Sequence, residues 1–302
     1  ASVLIRRVKR QAPAEVVAAI SALEVTRKIP GSSGASVVTD QDAARVSDTL
    51  SLGFYYRWCW ELTRLGKPDE EWISARRGYS SELSEYLVPT GQGERCSVDT
   101  PGHVWRLAQA GSPLLPMSLQ TTWETWSEVR DRYRVSYLDD PISSPSGGGR
   151  AVETIPVEPV WLTREVVGWI LDSLSGEPGT IVWYRHRAVA RALVEAGARV
   201  WSRGQEPPND GLSCALSEFS HGEGHDLYAF GRVVVPCPGP SGSHIEQLIG
   251  RIHRPGQDRD EVQVDLWTHT GRLDDAVSRA VADARYLHET QGPQRLIVGT
   301  WV

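Results

Sequence analysis

Two arginines placed three residues apart are the side chains best suited to chemistry in this sequence. Arg251 and Arg254 lie in the segment QLIGRIHRPGQ, residues 247–257. Residues three apart share one face of a helix, and Pro255 with Gly256 is a stop signal for that helix. Guanidinium groups stay charged and offer forked donors that match phosphoryl oxygens, so the pair could neutralise charge during phosphoryl transfer. A solvated basic helix end is the alternative.

Two further polar segments follow apolar runs that we predict to be strands. The segment SEFSHGEGHDL covers residues 217–227 and contains Ser220, Gly224 and Asp226. Its glycines permit positive backbone angles and close approach to a ligand, although an ordinary turn between a strand and a helix needs them too. The run TIVWYRH at 180–186 is a buried strand whose polar end, His186, is the part that could have a function.

The second half of the chain alternates short apolar runs with amphipathic segments, which is typical of a parallel sheet covered by helices. We predict strands at 180–184, 198–201, 211–216, 232–235 and 261–267, and helices at 163–174, 186–196, 243–253 and 272–290. The expected fold class is therefore α/β. Ligands of such sheets bind beyond the carboxyl ends of the strands, so we expect the three polar segments to lie at that edge.

The first half differs in composition and is predicted to be mainly helical. A stretch rich in Pro, Gly and Ser at 139–149 has the character of a linker, which predicts two domains, 1–150 and 151–302. Before this linker we expect helices at 13–24, 40–64, 69–86, 102–110 and 119–134. The aromatic run from Phe54 to Trp60 could stack on exposed bases, but core packing of a helical unit is the preferred interpretation, as it is for Trp72, Trp123 and Trp126.

The pattern QxxGRxHRxGQ resembles motif VI of superfamily-two helicases, and its HRxGQ ending is similar to the Swi/Snf-like branch. In that family, two arginines of the second RecA-like lobe reach the ATP phosphates bound on the first lobe. The resemblance therefore implies a phosphate-contacting role for Arg251 and Arg254, with Arg254 as the arginine finger. It also implies that Gln247 helps to couple the lobes and that Gly256 and Gln257 shape the turn.

The other two segments resemble further motifs of the same family, in the same order. Residues 217–227 look like motif V, which implies that Ser220 meets the nucleic-acid backbone, Gly224 allows close approach and Asp226 reaches the ribose. Residues 180–186 resemble motif IV, where His186 would either cap the following helix or face the nucleic acid. The start of the chain, Leu4 to Lys9, is similar to the arginine-rich segment that joins the two lobes. Together these resemblances cover roughly residues 155–290.

The resemblance implies a second, C-terminal lobe of an ATP-dependent DNA helicase or translocase. No segment resembles GxxxxGK[ST] or a DExH strand, so ATP and Mg²⁺ are expected to bind mainly to a first lobe that lies upstream or on another chain. We therefore expect this chain to be inactive as an ATPase by itself. The expected partners are that lobe and a nucleic acid, with DNA preferred. The alternative is a non-catalytic module that binds nucleic acid or protein on a RecA-like scaffold.

Bulk composition excludes several other classes of protein. Hydrophobic residues make up 40% and charged residues 23% of 302 residues, which suits a globular chain rather than a disordered one. The formal net charge of −6 argues against binding nucleic acid by overall charge, so any contact must be local. Four scattered cysteines without CxxC spacing indicate reduced thiols and no metal site. No apolar run is long enough for a membrane span, and we expect a cytoplasmic protein.

Overall fold

The computed structural model describes residues 2–29, 40–59, 70–87, 101–113, 115–137, 157–222, 224–290, 297 and 301. The chain folds into two units. Unit 1 comprises Ala1–Gly31, Ala44–Tyr55 and Pro159–Val302, and unit 2 comprises Ser32–Ala43 and Tyr56–Glu158. This division differs from the predicted one at residue 150, because the N-terminal segment folds together with the C-terminal half.

Unit 1 is built on a six-stranded sheet in which all neighbouring strands are parallel. Its strands are β1 (Ser2–Val8), β4 (Thr180–Tyr184), β5 (Val200–Trp201), β6 (Cys214–Ser217), β7 (Arg232–Val235) and β8 (Glu261–Trp267), in the spatial order β1-β8-β7-β4-β6-β5. β2 (Phe54–Trp58) and β3 (Val157–Trp161) form a separate two-stranded sheet. The predicted α/β fold class, a parallel sheet flanked by helices, is confirmed.

The composition of the central strands explains why they are buried on both faces. Strands β4 and β7 consist mainly of β-branched and aromatic residues, and every residue of β4 is buried. One face of the sheet carries Ile181, Trp183, Val233 and Val264 and packs against apolar residues of α9 (Gly242–Gly250) and α10 (Gly271–Thr290). The alternate residues, such as Val182, point to the opposite face and are buried as well.

The other described helices that contribute to unit 1 are α1 (Ala14–Thr26), α2 (Asp40–Ser51, which belongs to unit 1 from Ala44 on), α6 (Glu165–Gly176), α7 (Arg187–Glu195) and the short α8 (Glu218–His221). From β4 the chain crosses to β5 on one side, whereas from β7 it crosses to β8 on the other. The direction of winding therefore changes between β4 and β7. In parallel sheets the crevice beyond the carboxyl ends at such a point is the usual ligand site.

The described residues of unit 2 include the helices α3 (Glu70–Leu87), α4 (Pro101–Gln109) and α5 (Met117–Tyr137). Its core includes Tyr79 and Trp123, whose rings make an edge contact with centroids 5.3 Å apart. Trp72 makes a similar contact with Trp126 at 5.0 Å. The prediction that these residues belong to the core is confirmed for Trp72 and Trp123, which are buried, whereas Trp126 is partly buried and packs against the core.

One prediction for the first half of the chain is wrong, and one strand there was not predicted. The helix expected at 40–64 ends at Ser51, and the aromatic run that follows enters β2, where Phe54 and Tyr55 are buried. Aromatic and β-branched residues fit a pleated, half-buried surface better than a helix. The segment Ser2–Val8, expected as a connection, is an edge strand paired with β8. The predicted linker at 139–149 lies outside the described residues.

Candidate functional site

The two arginines of the 247–257 segment line a cleft at the end of helix α9. This cleft has a volume of about 370 Å³ and is lined by Glu246, Gln247, Gly250, Arg251, His253, Arg254 and Pro255. Helix α9 begins with Ser241 as its N-cap, whose hydroxyl accepts a hydrogen bond from the amide of His244. It ends at Gly250, so Arg251 and Arg254 lie on the turn that follows the last helical residue.

The 224–227 loop packs against this turn, so that residues from the motif V and motif VI segments meet. Arg254 Nε lies 3.5 Å from a carboxylate oxygen of Asp226. Arg251 donates from Nη1 to the carbonyl oxygen of His225 at 3.5 Å, and its own carbonyl accepts from the Leu227 amide at 2.8 Å. Five of the sequence-predicted site residues, namely Gly224, Asp226, Gln247, Arg251 and Arg254, are thus brought to one region.

Local backbone geometry accounts for the residue types at the two ends of this region. Gly224 has φ +80°, which favours glycine, and a Cβ at this position would meet no other atom within 4 Å. The side-chain amide of Gln257 donates to the carbonyl oxygens of Ile252 and Phe230, at 2.9 and 2.8 Å. These two hydrogen bonds of Gln257 connect the turn that contains the two arginines with the segment that enters β7. This agrees with the turn-shaping role that the resemblance implies for Gln257.

The expectation that all three polar segments lie at the carboxyl edge of the sheet is wrong. Helix α9 runs back from the carboxyl end of β7, so Arg251 and Arg254 precede β8 and lie toward the amino ends of the strands. Ser220 and His186 follow β6 and β4 directly and lie at the carboxyl edge. The seven candidate residues are divided between two ends of one unit because the motif VI segment follows a helix and not a strand.

His186 is held among buried groups at the carboxyl edge. It is the N-cap residue of α7, but its side chain makes no capping hydrogen bond. Its ring makes an edge contact with Phe54, with centroids 5.7 Å apart. Burial and the neighbouring charge of Arg185 lower the pKa of His186 to about 4. The imidazole is therefore neutral at physiological pH and adds no positive charge to this edge.

A buried ion network at the carboxyl edge was missed by sequence reasoning. Glu218, the first residue of α8, has a side chain that is only 1% exposed, and it accepts from Arg185 Nε at 2.6 Å. The same carboxylate oxygen lies 2.9 Å from Nε2 of His244 in the first turn of α9. This network joins the ends of β4 and β6 to α9. No local sequence signal identifies it, because its members are 26 to 33 positions apart.

Further titratable groups face this network from α2 and α10. Asp48 lies 3.4 Å from Arg272, and the backbone carbonyl of Asp48 accepts a hydrogen bond from the Cys237 thiol at 3.8 Å. Burial raises the pKa of Asp48 against the opposing charge of Arg272, and burial raises the pKa of Cys237 as well. Burial is the largest single influence on the pKa of Arg185 and lowers it, but the charge of Glu218, the charges of Cys237 and Asp48 and the hydrogen bond to Glu218 together raise the pKa above its usual value.

The described cysteines Cys59, Cys214 and Cys237 are buried, and they form no disulfide bond with one another. Among the residues that the structure describes, no three His, Cys, Asp or Glu side chains are grouped as a metal site. None of the helices in the described part of the chain combines the length and apolar character that a bilayer crossing requires.

No family model matches the chain, and no curated protein sequence matches it. Among solved structures, the chain is similar to the crystal structure of the C-terminal part of the Fun30 ATPase domain. The identity is 9%, the TM-score is 0.35, and the match covers 92% of this chain and 89% of that chain. At this TM-score the likeness carries no argument about family or activity. The fold class of unit 1 follows from its own strand pairing.

Proposed function

We propose that unit 1 is the second RecA-like lobe of a nucleic-acid-stimulated ATPase of the helicase or translocase class, in which Arg254 acts as the arginine finger. The observation that carries this proposal is the meeting of two sequence-distant motifs around one cleft. Asp226 of the motif V segment contacts Arg254 of the motif VI segment, and Arg251 contacts the backbone beside Asp226. The order and spacing of the motifs along the chain support the same proposal.

The residues of the cleft fit a phosphate group rather than a metal ion. The lining includes two guanidinium groups, and guanidinium pairs match phosphoryl oxygens in charge and in geometry. ATP bound to a partner lobe would supply the phosphoryl group, with Mg²⁺ held there. Arg251 and Arg254 would then donate to its phosphate oxygens, and Asp226 would accept from a ribose hydroxyl.

Arg254 is free to change partners at low energetic cost. Its side chain is 41% exposed and that of Asp226 is 68% exposed, and exposed ion pairs contribute about 0–1 kcal/mol. A phosphate group with more negative charge than a carboxylate can therefore replace Asp226 as the partner of the Arg254 guanidinium. Release of Arg254 leaves the carboxylate of Asp226 accessible, which is what a ribose contact requires.

The proposed function also requires a surface that binds the nucleic acid and a surface that contacts the first lobe. Ser220 at the carboxyl edge is the proposed contact to the nucleic-acid backbone, with DNA as the preferred polymer. Because His186 is neutral and half-buried, any contact that it makes would be a hydrogen bond rather than an ion pair. Gln247 is exposed beside the arginines and is the proposed contact to the first lobe.

The test is ATP hydrolysis with and without DNA, measured with this chain joined to or mixed with the lobe that carries the P-loop. Arg254→Ala should reduce stimulated turnover by about 10³-fold or more, because an arginine finger contributes that much to phosphoryl transfer. Arg191→Ala is the matched control, since Arg191 is also an exposed arginine paired with one carboxylate, Glu195. This control should retain full activity. The 302-residue chain alone should show no turnover above background.

Two results would contradict the proposal. Equal turnover of the Arg254→Ala and Arg191→Ala variants would leave Arg254 without a catalytic role. Turnover by the isolated chain that depends on Arg254 would contradict the need for a partner lobe. The first result would favour the alternative function, a non-catalytic module that binds nucleic acid or protein on the same scaffold.

A further inference from the structure

The carboxyl edge of unit 1 carries an aromatic ring in an unusually exposed position. Phe219 is 79% exposed, although it lies between Glu218, which is 3% exposed, and the half-buried Ser220. The large apolar rings of a folded protein are more often buried, since exposing one forgoes a contribution of about 1.5–3 kcal/mol. A single exposed ring needs no explanation by itself. Its position directly beside Ser220 is the reason to ask what contacts it.

The ring is attached to a rigid backbone. On one side of Phe219, Glu218 is fixed by Arg185 at 2.6 Å and by His244 at 2.9 Å. On the other side, the buried His221 makes a 2.9 Å hydrogen bond between its Nε2 and the carbonyl oxygen of Gln205. Helix α8 is therefore held at both ends while the ring of Phe219 points into solvent. Such a ring can bind a flat partner with little loss of conformational entropy.

Basic residues follow the two strands that neighbour β6 at the same edge of the sheet. In the order β4-β6-β5, the strand that carries Phe219 at its end is the middle one, and neighbouring strands are about 4.8 Å apart. Arg187 follows β4 and Arg203 follows β5, and both are exposed. Neither forms an ion pair with a residue in the described part of the chain. An aromatic residue after the middle strand and an exposed arginine after each neighbouring strand suit the alternation of base and phosphate in a nucleic-acid strand.

We propose that Phe219 is a stacking platform for an unpaired base, and that the polymer bound at the carboxyl edge of unit 1 is single-stranded. This inference rests on the proposed function, in which that edge binds nucleic acid. In a duplex both faces of each internal base are covered by its neighbours, so a rigid ring at the surface has no base to contact. In a single strand the bases can open onto an aromatic ring, while Arg187 and Arg203 contact the flanking phosphates.

The test uses the whole 302-residue chain and two fluorescently labelled probes, an oligothymidylate of about 20 nucleotides and a duplex of the same length. Binding is measured by fluorescence anisotropy. Phe219→Ala should weaken binding of the single strand about tenfold and change duplex binding less than about twofold. Phe219→Trp should restore single-strand binding, because the indole also stacks. Tyr286→Ala is the matched control, since Tyr286 is 63% exposed on α10, and it should change neither affinity.

The outcomes separate this inference from the proposed function. Selective loss of single-strand binding in Phe219→Ala, with recovery in Phe219→Trp, supports the stacking platform. If the wild-type chain binds nucleic acid and Phe219→Ala weakens both probes equally or neither, the platform is refuted and the nucleic-acid edge is retained. If the wild-type chain binds neither probe, the nucleic-acid part of the proposed function fails together with the platform. Because Phe219 is exposed, its variants should unfold at the wild-type temperature, which circular dichroism checks.

Discussion

The substitution Glu218→Gln tests the ion network at the carboxyl edge of unit 1 with little change in shape. The glutamine side chain keeps the size of glutamate but removes its charge. Arg185 and His244 would then lose the carboxylate that both of them contact, at 2.6 and 2.9 Å. A cation that is left without its partner in a buried place is unfavourable, because it has given up water without gaining a counter-charge.

The expected loss of unfolding free energy follows from the exposure of the three groups. Removing one partner of a fully buried pair typically costs about 3–5 kcal/mol. The side chain of Glu218 is 1% exposed, but those of Arg185 and His244 are 19% and 28% exposed, so water can partly replace the lost contact. The amide oxygen of glutamine can also accept one of the two hydrogen bonds. We therefore expect Glu218→Gln to destabilise unit 1 by about 2–3 kcal/mol.

Hydrogen exchange is the suitable assay, because the chain has two units and a single unfolding midpoint would combine them. Amides of β4 and β6 lie in inner strands of the sheet, so their slowest exchange reports the opening of unit 1 as a whole. Glu195→Gln is the matched control. Glu195 also contacts two arginines, Arg164 and Arg191, at 3.2 and 3.1 Å, but its side chain is 43% exposed.

The control should cost less than about 1 kcal/mol, since exposed ion pairs are screened by water and salt. The reasoning is refuted if Glu218→Gln accelerates exchange in β4 and β6 no more than Glu195→Gln does. That result would mean that the desolvation of Glu218 offsets its attraction to Arg185 and His244. The network would then position α8 and α9 without stabilising them.

Two further predictions concern packing and pH. Gly242→Ala should destabilise unit 1 by about 1–3 kcal/mol, because a Cβ there would lie 2.5 Å from the carbonyl oxygen of Ala280 and 2.7 Å from the Cβ of Ala284. Gly250→Ala, at the other end of α9 where an added Cβ would meet no atom within 4 Å, should be neutral or slightly stabilising when both variants are compared by hydrogen exchange. The pKa of His186 is lowered to about 4, so between about pH 6.5 and 4 the unfolded chain binds a proton that unit 1 excludes, and stability falls as pH falls. His186→Gln should reduce the loss of unfolding free energy between about pH 6.5 and pH 4 by about 2 kcal/mol, as measured by urea unfolding at both pH values. An unchanged pH dependence of the unfolding free energy would contradict this prediction.

The fold class was predictable because burial in a parallel sheet leaves a direct mark on the sequence. A strand covered on both faces needs a continuous run of apolar residues, as TIVWY and RVVV are in β4 and β7. Amphipathic segments such as α7 and α10 mark the covering helices by their period. The first half was less predictable, since the run starting at Phe54 suits either a helix or a strand until its partner β3 is known.

The sequence suggested the members of the candidate site, and the structure decided which of them lie together. The residue types and spacing of Arg251 and Arg254 predict a phosphate-binding chemistry, and that chemistry stays a prediction. Which groups they meet depends on the chain path, because α9 carries them back to the amino ends of the strands, where Asp226 lies 3.5 Å from Arg254. Ser220 and His186, which the sequence grouped with the arginines, remain at the opposite edge.

Features that depend on neighbours along the chain, namely most strands, most helices and the motif segments, can therefore be predicted from the residues alone. The tertiary structure alone decided the pairing of Ser2–Val8 with β8, although the two segments are separated by more than half of the sequence. It also decided the burial of Glu218 between Arg185 and His244. Such contacts arise because distant segments bury their apolar surface together, and a polar group carried into the interior then needs a partner from wherever the fold supplies one.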